Sequence, residues 1–377
     1  MCPQREAAFI RVENVFKADY SRPIIDSPAP CSNTTMNINS AIRLLVPCLV
    51  LTAVGCAKAP PPAQTAPPSP SGIVKLDPGL DTLVASDAKV EKLAGGFKFI
   101  EGPLARPDGS VMFSDLVGNV LYRWTPDGKV SEVMNPGGYD GKDLPPGGYI
   151  GPNGMAVGPD GDVVLCQHGN RRIVKIGIDG KVTTLVDRYA GKRINSPNDL
   201  VFAPDGSFFF TDPPFGLPKA NDDPSKEQPV NGIYRVSKGK VALAAKDLTL
   251  PNGIAFSPDY KLLYVSSSEQ GKRLWMRYEV AADGTLSNGK VFADATSSPE
   301  AGVPDGLKTD SAGNVYATGP GGIWVFAPDG RQLGTIKVPE GPSNLAWSSD
   351  GKTLYITAET SLYKLNVKLA GQTPAFK

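Results

Sequence analysis

A tight turn recurs six times along this chain, and the spacing of the turns limits the possible folds more than any other feature. Five turns close on glycine in a PDG, SAG or SDG sequence, and Tyr260 takes the same place in the other. The turn positions are Gly109, Gly161, Gly206, Tyr260, Gly313 and Gly351. Each is followed by strand-forming residues, as in SFFFTD after Gly206. Repeats of about 40 to 50 residues with several strands each indicate a ring of similar β-sheets.

The order of strands within each repeat predicts how the ring closes. Three strands follow one another around the turn, and a fourth commonly opens with Lys-Val. These pairs are Lys129-Val130, Lys181-Val182, Lys240-Val241 and Lys290-Val291. The same pair, Lys89-Val90, precedes the first repeat, whereas the last repeat ends after its third strand. We therefore predict an all-β fold, a six-bladed β-propeller whose last blade is completed by an N-terminal strand near KVEKLAGG, which removes an open sheet edge.

The N-terminal part has the composition of an export signal and a tether. We interpret residues 1–56 as a signal peptide region, in which residues 1–35 are an over-extended gene start. The apolar stretch 44–54 is too short to span a bilayer, and it ends in TAVGC, which resembles the lipidation motif of bacterial lipoproteins. An ordinary secretory signal is the alternative to a lipid on Cys56. Residues 57–83 are predicted to be a proline-rich linker, and 84–377 the catalytic propeller.

These features predict an exported, periplasmic protein, anchored by a lipid to the outer membrane and monomeric. Lys and Arg total 39 against 38 Asp and Glu, which argues against a nucleic-acid partner or any membrane contact other than the lipid. Only Cys166 follows Cys56 in the chain, so no disulfide is expected within the mature protein.

A second pattern lies eight residues before each turn position. The residues there all carry a side-chain oxygen, and they are Glu101, Asn153, Asn198, Asn252, Asp305 and Ser343. They start the innermost strands, so in a propeller they would converge on one mouth of the central channel. Oxygen ligands without thiolate or imidazole suit a hard cation, calcium best of all. Taken singly each could be a turn residue, but six in register favour ligands.

The motifs around these positions resemble one enzyme family. FIEGPLARPDGSVMFSD, NSPNDLVFAPDGSFFFTDPPFG, LPNGIAFSPD and VPDGLKTDSAGNVYATG are similar to segments of the gluconolactonase and regucalcin (senescence marker protein) family, over about residues 84 to 370. The resemblance implies a calcium-dependent propeller that opens sugar lactones. It also implies that Glu101, Asn252 and Asp305 hold the cation, with Asn198 as a further ligand or substrate contact. Zn²⁺, Mn²⁺ or Mg²⁺ could replace Ca²⁺.

Lactone hydrolysis needs a group that takes a proton from water. His168 is the only histidine, and no G-x-S-x-G sequence accompanies it, which argues against a serine triad. We predict Asp305 as ligand and base, with Asp199 as an alternative base or a buried structural carboxylate. Asn198, Asn153 and His168 are the predicted substrate contacts, although His168 could instead be structural.

Other segments and functions stay open on the sequence alone. Arg171 and Arg172 are expected to form surface ion pairs. The polar insertion 216–230 could be a lid or a disordered excursion, and 139–149 is a second candidate lid. The alternatives to a lactonase are another ester or organophosphate hydrolase on the same site, and a binding propeller with a structural calcium.

Mass spectrometry of the purified N-terminus tests the predicted anchor. We expect the mature chain to begin at Cys56 with a mass increase that corresponds to acylation, because the small residues before it suit the lipoprotein pathway. An unmodified Cys56, or an N-terminus at another residue, would exclude the lipid.

Overall fold

Six antiparallel sheets form the fold, and each has its first strand innermost. The computed structural model describes residues 72–143 and 148–376. Blade one contains β3 (Ile100–Ala105), β4 (Val111–Asp115), β5 (Val120–Trp124) and β6 (Val130–Met134). Blade two contains β7 (Pro152–Val157), β8 (Val163–Gln167), β9 (Arg172–Ile176) and β10 (Val182–Val186). Blade three contains β13 (Leu200–Phe202), β14 (Phe208–Asp212), β15 (Gly232–Ser237) and β16 (Lys240–Ala245).

The remaining three blades continue the same order from the channel outward. Blade four contains β17 (Pro251–Phe256), β18 (Leu262–Ser267), β19 (Leu274–Val280) and β20 (Leu286–Asp294). Blade five contains β21 (Leu307–Thr309), β22 (Val315–Gly319), β23 (Gly322–Phe326) and β24 (Gln332–Lys337). Blade six contains β25 (Pro342–Trp347), β26 (Thr353–Ala358) and β27 (Ser361–Asn366). The prediction of a six-bladed propeller is confirmed.

Blade six obtains its outer strand from the N-terminal side of the chain, as predicted. Strand β2 (Glu91–Gly95) pairs antiparallel with β27, and Glu91 lies opposite Lys364. The innermost strands β3 and β25 contact each other, so the ring is continuous. Apolar side chains fill the junction between blades six and one, and they include Ile100, Phe113, Tyr355 and Leu362. The closing interface is therefore hydrophobic as well as hydrogen-bonded.

The folded region begins earlier than the predicted boundary at residue 84. Strand β1 (Gly72–Lys75) pairs with β24 as a fifth strand of blade five, and a 3₁₀ helix follows at Pro78–Thr82. Leu80 of this helix is buried in the cluster that also holds Leu333. The high proline content before Gly72 led us to place the boundary too late. The apolar residues after Gly72 form a strand that covers the outer edge of blade five. The predictions for residues 1–71, including Cys56, lie outside the described residues.

Smaller elements lie between blades two and three and within blade three. A two-stranded hairpin, β11 (Arg188–Tyr189) with β12 (Lys192–Arg193), precedes β13, and a 3₁₀ helix lies at Ala220–Asp222 in the insertion. Within the two described ranges, no helix has the length and apolar character needed to cross a membrane.

The hydrophobic core lies between neighbouring blades. At the junction of blades three and four, for example, Phe209 packs edge to face on Phe256, with 5.6 Å between the ring centroids. Ile254, Leu263 and Val265 belong to the same buried cluster. Alternating inward and outward residues on each sheet face supply these contacts. Because both faces of every blade are covered by other blades, the middle strands are almost entirely buried, as in FFFTD of β14.

Candidate functional site

The six residues predicted in register all lie where an innermost strand begins. Glu101, Asn153, Asn252 and Ser343 are the second residues of their strands, whereas Asn198 and Asp305 come two residues before theirs. Because the innermost strands run in the same direction around the ring, these residues meet at one mouth of the channel. Glu101 is only 4% exposed. We call Glu101, Asn153, Asn198, Asn252 and Asp305 the ring residues.

Ser343 does not join the ring, because its hydroxyl is used between blades. It donates to the carbonyl oxygen of Ile100 at 2.7 Å, which links blade six to blade one. Four other hydroxyls reach the next blade in the same way, and each donates to the main-chain oxygen of the register residue there. These donors are Ser114, Thr211, Ser266 and Thr318. We call these five residues the hydroxyl belt.

The hydroxyl belt has a sequence signal that was missed. Its members in the second strands lie five or six residues after the turn position, in FSD, FTD, VSS and ATG. In blade two the same place is taken by Cys166, which is fully buried. Burial raises the pKa of the Cys166 thiol well above its ordinary value, so the thiol stays protonated. A small side chain at this place fits the narrow space between blades, and a hydroxyl adds a hydrogen bond.

Glycine follows the register residue in four blades and lets adjacent innermost strands approach closely. A Cβ at Gly253 would lie 2.3 Å from the main-chain oxygen of Asp305, and one at Gly306 would lie 2.1 Å from Oδ1 of Asn344. No side chain fits in such gaps. In blades three and six the glycine is replaced by Asp199 and Asn344, which lie opposite each other across the channel.

Asp199, Lys308 and Asn344 form the floor beneath the ring. The Asn344 amide donates to Glu101 Oε2 at 3.0 Å and to Asp199 Oδ2 at 3.3 Å. Lys308 Nζ lies 3.9 Å from Asp199 Oδ2 and 3.4 Å from Asn344 Oδ1. The main-chain NH of Leu200 donates to Asp199 Oδ1 at 2.9 Å. We call these three residues the floor, and both oxygens of Asp199 are occupied within it.

Burial raises the pKa of both ring carboxyl groups, Glu101 and Asp305. Burial raises the pKa of Glu101 to about 7, against hydrogen bonds from the Gly102 NH and the Asn344 amide that favour the charged form. Burial and the charge of Glu101 together raise the pKa of Asp305 well above its ordinary value, more than the nearby Asn252 amide lowers it. Ionisation of the two carboxyl groups is thus disfavoured at the mouth, and a cation would stabilise their charged forms.

In the described part of the chain, one amide oxygen and one carboxylate oxygen of the ring residues have no protein donor. Asn153 Oδ1 and Asp305 Oδ1 are buried and have no hydrogen-bond partner within the described ranges. The Asn252 amide nitrogen donates to Ser268 Oγ at 2.8 Å, and that hydroxyl donates to the Pro304 carbonyl, so the Asn252 oxygen turns away from this pair. Buried oxygens without donors are costly unless a ligand satisfies them. These oxygens, with the Glu101 carboxylate, fit an oxygen-coordinated cation.

The described part of the chain contains no group of three or more His, Cys, Asp or Glu side chains that could hold a metal ion. Any cation at the mouth would therefore depend on amide oxygens in addition to the Glu101 and Asp305 carboxylates. Calcium accepts such mixed neutral and charged oxygen ligands, and zinc prefers nitrogen and sulfur.

His168 lies behind the ring and not at its surface. It follows β8 and is 0% exposed. Its Nε2 is 3.0 Å from the amide nitrogen of Asn153, and its Nδ1 is 3.2 Å from the Tyr149 carbonyl oxygen. Both imidazole nitrogens of His168 are thus hydrogen-bonded within the protein, which leaves neither for a substrate hydroxyl. Burial lowers the pKa of His168 to about 4, so the imidazole is neutral near pH 7.

The prediction for Arg171 was wrong, because the insertion covers it. Arg171 is buried, and its guanidinium donates to the carbonyl oxygens of Ile194 and Ser225. Arg172 lies 3.7 Å from Asp140, as expected for a surface ion pair.

The insertion 216–230 is fixed on the propeller and is not a free excursion. Arg171 holds it through Ser225, and the Gln228 amide donates to the carbonyls of Tyr189 and Lys192. Its first residue, Gly216, lies against His168, where a Cβ would be 2.8 Å from that of the histidine. In the other candidate lid, residues 144–147 lie outside the described residues.

Tyr149 borders the channel mouth next to Asp305 and Glu101. Burial, followed by the charges of Asp305 and Glu101, raises the pKa of Tyr149 to about 12. Its ring packs edge to face on Phe99, with 5.6 Å between centroids. An aromatic wall and a hydroxyl beside two carboxylates suit a small polar ligand with an apolar face.

The fold and the ring define a β-propeller with an oxygen-rich site at one channel mouth, and comparisons place it in a family. Residues 99–360 match the family described as SMP-30/Gluconolactonase/LRE-like region. A gluconolactonase from Zymomonas mobilis subsp. mobilis is 37% identical over 311 residues, which cover 79% of this chain and 87% of the relative. The chain therefore belongs to the SMP-30/gluconolactonase/LRE-like family, and it is a gluconolactonase-like enzyme.

Solved structures agree with this family. A gluconolactonase from Xanthomonas campestris shares 33% identity with a TM-score of 0.70, over 81% of this chain and 98% of that one. A calcium-binding regucalcin from Agrobacterium tumefaciens has a TM-score of 0.62 at 19% identity, over 77% of this chain and 97% of that one. The second likeness shows the common fold.

The raised pKa of Glu101 predicts how the stability of the metal-free protein depends on pH. The unfolded carboxyl loses its proton near its ordinary pKa of 4.5, whereas the folded one keeps it until about 7. The folded state thus binds more protons between these values, and the free energy of unfolding falls as pH rises through this window. Glu101→Gln should remove part of this fall, on the order of 3 kcal/mol. Urea unfolding in chelator at pH 4.5 and 8 measures the difference.

The exposed Glu279 on β19 provides the control. Glu279→Gln should leave the pH dependence unchanged. If Glu101→Gln and wild type lose the same free energy between the two pH values, Glu101 is not a buried carboxyl with a raised pKa.

Proposed function

We propose that this protein hydrolyses a sugar lactone, with a divalent cation, calcium best, held by the ring residues. The observation that carries the proposal is the pair of buried carboxylates, Glu101 and Asp305, at the same mouth as the buried Asn153 amide oxygen, which lacks a protein donor within the described ranges. The gluconolactonase relative at 37% identity supports the substrate class. Glu101, Asn198, Asn252 and Asp305 are the proposed ligands, and Asn153 contributes the remaining free oxygen.

The electrostatics of the mouth suit ester chemistry of this kind. When bound, the cation supplies positive charge that polarises the lactone carbonyl and stabilises the negative charge that develops on its oxygen. The Asn344 amide keeps Glu101 Oε2 in place at 3.0 Å, so the ring carboxylate is held before the substrate arrives. Pre-organised groups of this type lower the cost of reorganisation during the reaction.

Water attack requires a base, and the position of Asp305 favours it over Asp199. Asp305 Oδ1 has no protein hydrogen-bond partner within the described ranges, so it can accept the proton of the attacking water. Asp199 instead accepts from Leu200, and Asn344 donates to its second oxygen. The water oxygen adds to the carbonyl carbon of the lactone. The C–O bond within the lactone then breaks, and the departing alkoxide takes a proton to give the hydroxy acid.

Substrate selection would fall to the residues around the mouth. Tyr149 borders the carboxylates, and the insertion 216–230 lies next to His168, behind Asn153. Asn198 on its short segment before β13 is 5% exposed and could take a substrate hydroxyl in addition to the cation. The proposed substrate is therefore a small hydroxylated lactone.

Removal and return of the metal tests the function. After chelation, we expect hydrolysis of gluconolactone to fall at least about 100-fold, because the electrophile is lost, and to return with calcium more than with zinc. A panel of aldonolactones, aryl esters and phosphotriesters is assayed in the same preparation. Turnover of phosphotriesters or aryl esters with calcium, but of no lactone, would replace the lactonase with another hydrolase.

The double variant Glu101→Gln with Asp305→Asn separates a catalytic from a structural cation. We expect it to lose hydrolysis of every lactone. If hydrolysis survives while the melting temperature falls and calcium no longer raises it, the cation is structural and the enzyme proposal fails.

Two single variants distinguish the bases. Asp305→Asn should weaken calcium binding and lower kcat by about 100-fold or more, because ligand and base are lost together. Asp199→Asn should keep calcium affinity and lower kcat less than about 10-fold, because asparagine still accepts one floor hydrogen bond. Calcium titration calorimetry and kcat at saturating calcium provide both values. Loss of kcat by about 1,000-fold in Asp199→Asn at unchanged calcium affinity would make Asp199 the base.

A further inference from the structure

His168 is the only histidine in the chain, and the proposed reaction does not use it. It is fully buried after β8, so it cannot touch a substrate at the channel mouth. Its two nitrogens nevertheless lie between a main-chain carbonyl and a ring residue. A neutral imidazole has one donor and one acceptor nitrogen, so these neighbours decide its tautomer.

The Tyr149 carbonyl fixes the proton on Nδ1. A carbonyl oxygen only accepts, and it lies 3.2 Å from Nδ1, so Nδ1 must carry the hydrogen. The amide nitrogen of Asn153, which only donates, lies 3.0 Å from Nε2, and this is the arrangement of a neutral imidazole. Nε2 therefore carries a lone pair and can only accept.

The lone pair on Nε2 in turn fixes the Asn153 carboxamide. Only the amide nitrogen of Asn153 can donate to it, and the two nitrogens are 3.0 Å apart. The reversed amide would place Oδ1 against a lone pair, which is repulsive. Oδ1 must therefore lie on the side away from His168, where it is buried and has no protein partner within the described ranges.

The insertion 216–230 packs against the imidazole of His168. Gly216 lies against the His168 side chain, and its NH donates to Ser196 Oγ at 2.9 Å. That hydroxyl donates to the Pro213 carbonyl at 2.6 Å. The ring of His168 is thus packed between this corner and Asn153, with little space to rotate.

We propose that His168 is a positioning residue, which fixes the Asn153 carboxamide so that its oxygen faces the cation site. This inference depends on the proposed cation. Ser268 orients Asn252 by a separate contact at 2.8 Å, so two ring amides are held by different partners. His168 reaches a ring residue through Asn153, whereas its contact with Tyr149 ends on the main-chain carbonyl.

Nitrogen-15 NMR of the wild-type protein tests the tautomer directly. Because the chain has a single histidine, long-range ¹H–¹⁵N spectra show only one imidazole once any purification tag is removed. We expect a protonated Nδ1 and an unprotonated Nε2 near pH 7, with or without calcium. A protonated Nε2 would overturn the proposal, because Asn153 would then turn its oxygen toward the histidine.

A double-mutant cycle, measured as calcium affinity, tests whether His168 acts on the cation site through Asn153. His168→Leu removes the acceptor and should weaken calcium binding about 10-fold, as the loss of outer-shell partners commonly does. His168→Gln can place an amide oxygen near the former Nε2 and should restore most of the affinity. In the Asn153→Ala background, His168→Leu should change the affinity by less than about twofold, because its target is absent.

The background Asn252→Ala is the matched control. There His168→Leu should still weaken binding about 10-fold, since Asn153 is present. An equal loss in the Asn153→Ala background would show a general structural role and overturn the proposal, as would an unchanged affinity of His168→Leu. Wild type that binds no calcium by calorimetry would refute the proposed cation itself, while the NMR result would still report on the His168–Asn153 contact.

Discussion

The burial of like charges at the channel mouth is the constraint on which the rest of the site depends. Burial raises the pKa of Glu101 and of Asp305, and the charge of Asp199, just below them, raises both further. Lys308 lies 3.9 Å from Asp199, the lower carboxylate. A fold that keeps such charges together must be rigid there, because any relaxation would separate them. The surrounding architecture supplies that rigidity.

The rigidity comes from contacts between blades more than from contacts within them. The hydroxyl belt ties the main chain of four register residues to the preceding blade, as Thr211 does to Asn252 at 2.7 Å. Glycines such as Gly306 let the innermost strands approach until no Cβ would fit. Asp199 and Asn344, from opposite blades, contact each other in the channel beneath the ring residues, and Asn344 also holds Glu101. Displacing one blade would therefore move several ligands at once.

Much of this arrangement could be predicted because it is periodic. Turn spacing gave the blade number, and counting back from the turns placed Glu101 and Asn252 at strand starts, where they are found. Asn344 and Lys308 of the floor were missed. Asn344 replaces the glycine that follows the register residue in four other blades, a signal that was overlooked. Lys308 comes three residues after Asp305, and no repeat marks that position. The burial of Arg171 was missed for a related reason. It depends on an insertion present in one blade, and pairing across such a distance is not encoded locally.

Because β2 pairs with β27, the propeller can close only after nearly the whole chain has been synthesised. Glu91 pairs with Lys364, so the strands of five blades and two strands of the sixth are synthesised before β2 has its partner. Until then β2 is an unpaired strand, and a shortened chain would leave the same edge open to other molecules. Non-local pairing of this kind makes folding slow. Nonsense or frameshift changes near the C-terminus should consequently yield aggregates, not a smaller ring.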